Sequence, residues 1–241
     1  MIKMVPKVKL QVANPEFLSR RIFSLIKNID IENANKYVFN ISISLAKNIQ
    51  KAKEYKEVKE TIISFILNKQ EPELIQKTKT LQDVWNKQNE RYFLHLKNVL
   101  ETDFELDTFY GYTTNIMVGN YGDKKDFIVR ITDDLKISVY IIMEEVLHLV
   151  YWSIWDELFD KKIRNSKLYM KDNEKGISIW KISEIIPEYV FKLDPSSRSK
   201  SYPWIPELRK ILDPLWQKKK SFKDFIIKAH KLYDLTKGSQ S

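Results

Sequence analysis

Cysteine is absent from this chain of 241 residues, and histidine occurs three times. The absence of cysteine excludes disulfide bonds and cysteine-ligated zinc, and it gives no sign of a secreted disulfide scaffold. The first residues, MIKMVPKVKLQV, lack the apolar segment and the small-residue cleavage site of a signal peptide. We therefore expect a cytoplasmic protein.

The most apolar long stretch, residues 137–159, reads ISVYIIMEEVLHLVYWSIWDELF and contains neither glycine nor proline. Its apolar run ends at Glu144, which predicts a core helix rather than a membrane span. Glu145 and His148 follow in the middle of the same stretch. Charged side chains are rarely buried unless they are paired or bound to a metal, so these three residues indicate a site.

The composition is that of a soluble globular protein, with 43% hydrophobic and 30% charged residues. The length suits one large domain or two small ones. The net charge is +9 and the pI about 9.3, which is compatible with an anionic partner. Because the lysines are scattered along the whole chain, the pattern favours a solvated surface over nucleic-acid binding, without excluding the latter.

The periodicity predicts an α+β fold that is predominantly helical, with a small antiparallel sheet packed against the central helix. Strands are expected near 7–13, 108–118 and 127–131 from alternating or β-branched and aromatic residues. Asn14 and Pro15 predict the start of a helix, as N-cap and first helical residue. Further helices are expected near 31–51, 55–68 and 71–101.

The second half of the chain shows turn chemistry at residues 119–123, between the last two predicted strands. Ser183 is expected to cap a helix with Glu184 in its first turn and Pro187 in its fourth position. Two amphipathic helices are expected in residues 202–237, divided near Pro214.

The predicted organisation has three parts that form one compact unit. Residues 1–104 form an N-terminal strand and helical region, residues 105–192 the core with the central helix, and residues 193–241 a C-terminal helical region. The polar stretch 161–176 is expected to be a surface loop.

Glu144 and His148 are one helical turn apart and about 40° from each other around the helix, and Glu145 lies about 60° from His148 on the other side. This is the arrangement of the helix motif H-E-x-x-H, in which two ligands at i and i+4 flank a general base. The residues Glu144-Glu145-Val146-Leu147-His148 thus resemble the active-site helix of a zincin metallopeptidase, with glutamate in place of the first histidine. The resemblance covers residues 105–192.

The resemblance implies a zinc-dependent hydrolase of the gluzincin type. Glu144 and His148 would be metal ligands, and Glu184 on a later helix would be the third, with Glu188 one turn on as the fallback. Glu145 would be the general base that takes a proton from the bound water. Asp156 lies roughly 12 Å along the helix from His148, too far to share the ion. The substrate would be a peptide or protein.

The change of the first ligand leaves several interpretations open. Two carboxylates and one imidazole favour harder ions such as Mn²⁺ beside Zn²⁺ and acidify a bound water less, so the protein is a weakly active peptidase or has lost catalysis. Alternatively, the three residues form a polar cluster without metal on an interaction module. A di-iron site is disfavoured, because neither His95 nor His230 has glutamate three residues before it.

The other two histidines are expected to have structural roles. His95 lies in an apolar stretch and is predicted to be a core histidine with one hydrogen bond. His230 lies among lysines and is predicted to be on the surface. The sequence names no substrate, partner or oligomeric state.

Overall fold

The computed structural model describes residues 5–121, 125–164, 170–173, 176–192 and 202–233. Of these residues 63% are helical, and a small four-stranded sheet completes the fold, so the predominantly helical α+β class is confirmed. Two short 3-10 helices, Ile31–Asn33 and Tyr55–Glu57, lie between the N-terminal α-helices. The α-helices are α1 (Pro15–Lys27), α2 (Ala34–Tyr37), α3 (Ile43–Lys51), α4 (Lys59–Lys69), α5 (Leu74–Asn86), α6 (Asn89–Leu100), α7 (Leu135–Leu158), α8 (Lys161–Arg164), α9 (Ile179–Phe191), α10 (Ile205–Gln217) and α11 (Phe222–Lys231).

The sheet has the strand order β1-β2-β4-β3 and is mainly parallel. Strand β2 pairs in parallel with β1 on one side and with β4 on the other, and β3 pairs antiparallel with β4. The strands are β1 (Lys7–Val12), β2 (Thr108–Thr114), β3 (Asn120–Tyr121) and β4 (Asp126–Arg130). The predicted strand positions are therefore confirmed, but the predicted antiparallel sheet is wrong.

The connection between β2 and β4 explains this difference. Strands β2 and β4 are not joined by a tight hairpin, which would have made them antiparallel neighbours. The chain instead passes Met117, which bridges to Val38, and then forms β3 at the outer edge. Strand β4 returns beside β3 and so runs parallel to β2. Residues 120 and 121 of the predicted turn at 119–123 instead form β3, and residues 122 and 123 lie outside the described ranges.

The outer edge of β1 is covered by side chains from the helical region. The backbone amide of Leu10 donates to Gln82 Oε1 at 2.6 Å, and Gln82 Nε2 donates to the carbonyl of Val8 at 3.0 Å. Asn89 Oδ1 accepts from the amide of Val8 at 3.3 Å. These bonds satisfy an edge that would otherwise pair with another chain.

Helix boundaries in the N-terminal region are set by local capping. Asn14 accepts from the amides at 16 and 17, and Pro15 opens α1, as predicted. The predicted helix 31–51 is wrong as one element, because Asn40 has a positive φ of 60° and Ser42 caps a new helix, α3. The predicted helix 71–101 is likewise divided, because α5 ends at Asn86 and α6 begins at Asn89.

Two further boundaries differ from the prediction. Helix α9 begins after Ser178, whose side chain accepts from the amide of Lys181, and Pro187 lies inside the helix. The C-terminal helices are divided at Ser221, which caps α11, whereas α10 runs through Pro214. A serine that can accept the first free amide thus sets each start, and the prolines are tolerated where their missing amides cost one helical bond.

The chain groups into two compact units, residues 1–91 with 106–146 and residues 92–105 with 147–241. The first unit contains the sheet and an apolar cluster on α1, α3 and α4, in which Ile22, Ile49 and Ile62 are fully buried. The second contains α9, α10 and α11. The division into 1–104, 105–192 and 193–241 stays a prediction, as does the packing of the sheet across α7, apart from an approach at Gly119 described below.

Candidate metal centre

Helix α7, Leu135–Leu158, corresponds to the predicted central helix. Its start is capped by Asp134, whose Oδ1 accepts from the amide of Lys136 at 2.9 Å. Within the described ranges it is the one helix long and apolar enough to cross a membrane, and 61% of its most apolar 18-residue window is buried inside the protein. Such burial is what the core helix of a soluble protein shows.

The middle of α7 places acidic and imidazole side chains in this buried environment. His148 is 3% exposed and Glu145 8% exposed, and Glu144 is partly exposed. The neighbours Val146 and Leu147 are fully buried. A charge removed from water to this extent requires a partner of opposite charge or a metal ion.

Helix α9 contributes the third residue of the site. Glu184 is 7% exposed and Glu188, one turn further, is 2% exposed. Because the helix begins after Ser178, Glu184 lies beyond the first turn, contrary to the prediction. The free amides and the positive end of the helix dipole act mainly within the first turn, so they stabilise its carboxylate little.

Glu144, His148 and Glu184 each offer a ligand atom, and these atoms all lie within 4.8 Å of one another. His148 Nε2 is 3.6 Å from Glu184 Oε1, longer than a hydrogen bond. Two ligands of a tetrahedral zinc ion, each about 2.1 Å from it, lie roughly 3.4 Å apart. The three side chains therefore lie close together, at a spacing compatible with ligation of one ion. Their role as metal ligands stays a prediction.

The backbone at Gly119 passes close to the side chain of Glu145. A Cβ atom at Gly119 would lie 2.6 Å from Glu145 Oε1 and 2.7 Å from Ile141 Cγ2. A larger residue just before β3 would therefore force the side chains of Glu145 and Ile141 to shift. Glu145 is not part of the group within 4.8 Å found among the described residues. Its role as general base stays a prediction.

The two acidic residues considered as alternatives lie outside that group. Glu188 lines a separate pocket in the second unit. The Asp156 side chain is 15% exposed, and its Oδ2 is 3.9 Å from Lys161 Nζ. Neither competes with Glu184 for the position beside His148.

His95 and His230 both differ from their predictions. His95 makes its expected hydrogen bond, between Nε2 and the carbonyl of Val190 at 2.9 Å, but its side chain is exposed rather than in the core. His230 is fully buried rather than on the surface. The helical spacing of apolar residues in α11 would have revealed this, since His230 continues the buried stripe of Phe222, Phe225, Ile226 and Ala229.

The neighbours of His230 determine its protonation. Trp155 Nε1 donates to His230 Nε2 at 3.0 Å, and Tyr151 Oη is 2.9 Å from the same nitrogen. Because an indole N–H can only donate, Nε2 carries no proton and the neutral ring is protonated at Nδ1. Burial lowers the pKa of His230 to about 3. The histidine is therefore a neutral packing element.

Comparisons of the chain with known protein families, with curated proteins and with solved structures gave no match. A functional assignment therefore depends on the residues and geometry of this chain alone. The cluster of Glu144, His148 and Glu184 is the arrangement of described residues that could hold a metal ion.

Proposed function

We propose that Glu144, His148 and Glu184 bind one divalent metal ion, in a zincin-like, peptidase-related protein whose altered motif leaves little or no hydrolytic activity. The observation that carries the proposal is the convergence of their three ligand atoms within 4.8 Å. His148 and Glu184 are both nearly completely buried.

The donor set fits Zn²⁺ and Mn²⁺. One imidazole nitrogen and two carboxylate oxygens are ligands that zinc accepts, and the second carboxylate raises the preference for manganese. Three protein ligands leave a further coordination position for water or substrate. With two carboxylates, the charge of the occupied site is near zero, so a bound water is acidified less than at a site with two histidines.

The catalytic part of the proposal rests on Glu145. A bound ion would supply Lewis acidity to a water molecule and to a peptide carbonyl. Glu145 would accept the proton of that water at its carboxylate and return it to the departing amine. The backbone at Gly119 passes close to this carboxylate.

Metal analysis tests the binding step. We expect wild-type protein purified without chelator, or exposed to Zn²⁺ or Mn²⁺, to retain close to one ion per chain, and His148→Ala to retain little. His95→Ala is the matched control, because His95 is exposed and lies on another helix. A wild-type protein that holds neither ion would contradict the proposal and favour a metal-free interaction module on this scaffold.

Peptidase assays test the catalytic step. Against an unstructured protein substrate, the metal-loaded wild type is expected to be slow, and Glu145→Gln slower still if Glu145 is the base. Unchanged activity in Glu145→Gln excludes that role while leaving the metal site intact. The cytoplasmic location belongs to the same proposal. Nucleic-acid binding that weakens steeply with added salt would instead favour a basic binding protein.

A further inference from the structure

The second unit contains a pocket of about 310 Å³ between α9 and α10. This volume is at the lower end of the range for small-molecule sites, about 300–1,000 Å³, and leaves room for a single sugar ring. Charged side chains of both signs line the pocket in equal number, with Lys192 and Arg209 as the cations and Glu188 and Asp213 as the carboxylates. The pocket shares no residue with the candidate metal centre.

One wall of the pocket places a fixed donor and a fixed acceptor side by side on α10. Arg209 Nε donates to Asp213 Oδ1 at 3.1 Å, and the Tyr189 hydroxyl donates to the same oxygen at 2.8 Å. Both bonds use Oδ1, so within the described ranges Asp213 Oδ2 and the terminal amino groups of Arg209 make no hydrogen bond. The two side chains are 36% and 23% exposed, respectively, so these atoms are within reach of a ligand in the pocket.

This pair of side chains suits two neighbouring hydroxyl groups. A guanidinium only donates and an ionised carboxylate only accepts, whereas a hydroxyl does both. One hydroxyl of a diol can therefore accept from Arg209 while the next donates to Asp213, and bonds to charged partners are the stronger kind. A ligand carboxylate or phosphate would gain the bond to Arg209 but would bring its negative charge against Asp213, and an ammonium group would meet the opposite conflict.

The balance of charge in the lining also favours a neutral ligand. The charges of Arg209 and Asp213 offset each other through their direct bond. Lys192 is exposed, so water screens its charge. Glu188 is 2% exposed and interacts with another group of the protein, so it is assigned no contact with the ligand. Neither sign of charge thus dominates the pocket.

Gln217 extends the polar wall by one further turn of α10. Arg209, Asp213 and Gln217 follow one another at intervals of four residues, so they lie along one face of the helix, roughly 6 Å apart along its axis. Gln217 is exposed, and its amide can both donate to and accept from a further hydroxyl. Beside this wall Tyr189 and Trp216 stack with ring centroids 4.8 Å apart, and they provide apolar surface for the C–H groups of a sugar ring.

We propose that this pocket binds a neutral monosaccharide, with two neighbouring hydroxyl groups on Arg209 and Asp213 and a third on Gln217. The adjacent donor and acceptor select a group that can both accept and donate, and the volume limits the ligand to about one ring. Tyr189 is a positioning residue, because its hydroxyl holds Asp213 beside Arg209. The inference does not depend on a metal ion at the candidate metal centre.

A nuclear magnetic resonance titration tests the proposal, using the indole N–H signal of Trp216 assigned by its loss in Trp216→Phe. The probes are methyl α-D-glucopyranoside and methyl α-D-mannopyranoside, which present trans and cis neighbouring hydroxyls. We expect at least one of them to shift this signal with a dissociation constant on the order of 1–10 mM. No shift with either sugar at about 100 mM would overturn the proposal.

Matched ligands test the chemistry of recognition. Cyclohexanol has one hydroxyl on a ring of similar size, and we expect it to bind at least about tenfold more weakly than the better sugar. Equal affinity for cyclohexanol would overturn the proposal by showing a plain apolar pocket. Binding of glucuronate or of glucosamine that is at least about tenfold tighter would also overturn it, by showing a site for a charged ligand.

Substitutions on α10 assign the contacts. Arg209→Gln and Asp213→Asn are each expected to weaken sugar binding at least about tenfold, because each removes a charged partner of a hydroxyl. Gln217→Ala should weaken it about threefold or more, and its exposed helical position means that this loss cannot be attributed to unfolding. Lys210→Gln is the control on the same helix, because Lys210 pairs with Glu207 and does not line the pocket. Unchanged sugar binding in the three pocket variants, or an equal loss in Lys210→Gln, would overturn the proposal.

Discussion

His148 and His230 are both buried, 3% and 0% exposed, but the groups beside them differ in charge. His148 lies beside Glu184 at 3.6 Å and near Glu144. His230 meets the donors of Tyr151 and Trp155. Carboxylates favour a metal ion or a proton on an imidazole, whereas neutral donors fix one ring nitrogen as an acceptor and keep the ring uncharged.

The comparison shows that burial by itself does not identify a functional histidine. Both histidines involve α7, because His148 is part of that helix and His230 is bonded by residues one and two turns further along it. The same helix therefore contributes to a site that requires compensation by charge and to a packed neutral contact. What differs is the chemical type of the nearest partner. Each of the following substitutions changes the surroundings of His148 or of His230.

The largest expected effect is on folding, at His230. His230→Ala leaves a cavity and leaves the donors of Tyr151 and Trp155 without their acceptor, so we expect a loss of about 3 kcal/mol in the free energy of unfolding. His95→Ala, at an exposed position, should change it by less than about 0.5 kcal/mol. Urea unfolding followed by circular dichroism measures both. A His230→Ala protein as stable as wild type would contradict the role of His230 as a buried packing residue.

The second effect concerns metal affinity. His148→Ala should weaken Zn²⁺ binding by about 100-fold or more, because it removes the nitrogen ligand. His230→Gln should leave the affinity within about threefold, since it retains an acceptor for the two donors and lies outside the ligand group. Competition with a chromogenic chelator measures both constants. Equal losses in the two variants would indicate that metal binding reports general packing.

A third effect is the pH dependence of stability. The pKa of His230 is lowered to about 3 by burial, from an ordinary value near 6.5. At pH values between these two, His230 is protonated in the unfolded chain and neutral in the folded protein. The stabilisation is thus complete above pH 6.5 and is lost as the pH falls, by about 1.4 kcal/mol per unit.

His230→Gln isolates this contribution, because glutamine does not titrate. The difference in unfolding free energy between wild type and His230→Gln should change by that slope between pH 6 and 4. Urea midpoints measured at three pH values in this interval provide the test. A difference that does not vary with pH would show that His230 is already protonated in the folded protein.

The smallest expected effect lies beside the metal cluster, at Gly119. Gly119→Ala places a Cβ against Glu145 and Ile141, so we expect a destabilisation of about 1–2 kcal/mol from overpacking. Metal affinity should fall by less than in His148→Ala, because none of the three proposed ligands is contacted. Gly176→Ala is a useful contrast, since that glycine meets no atom within 4 Å and its cost is purely that of a positive φ. Equal behaviour of both variants would argue against a restrained Glu145.

The prediction of elements from sequence succeeded where the signal is local. The central helix, the cap at Asn14 and the positions of β1, β2 and β4 follow from capping chemistry and from periods of 3.6 and two. Two predicted boundaries are wrong. Ser183 is predicted to cap a helix that Ser178 caps instead, and Pro214 is predicted to divide the C-terminal helices, which Ser221 divides instead. Both serines lie close to the predicted boundaries, and a local sequence pattern does not rank one candidate cap above another.

By itself the sequence determined that Glu144 and His148 share one face of a helix, since one turn of any α-helix brings i and i+4 together. It also identified Glu184 as an acidic residue in an apolar helix. Only the tertiary structure decided that Glu184 comes within 4.8 Å of the other two, that β2 and β4 are parallel, and that His230 is bonded to Trp155. These three facts depend on packing between segments distant in sequence, for which helical and strand periodicity carry no distance information.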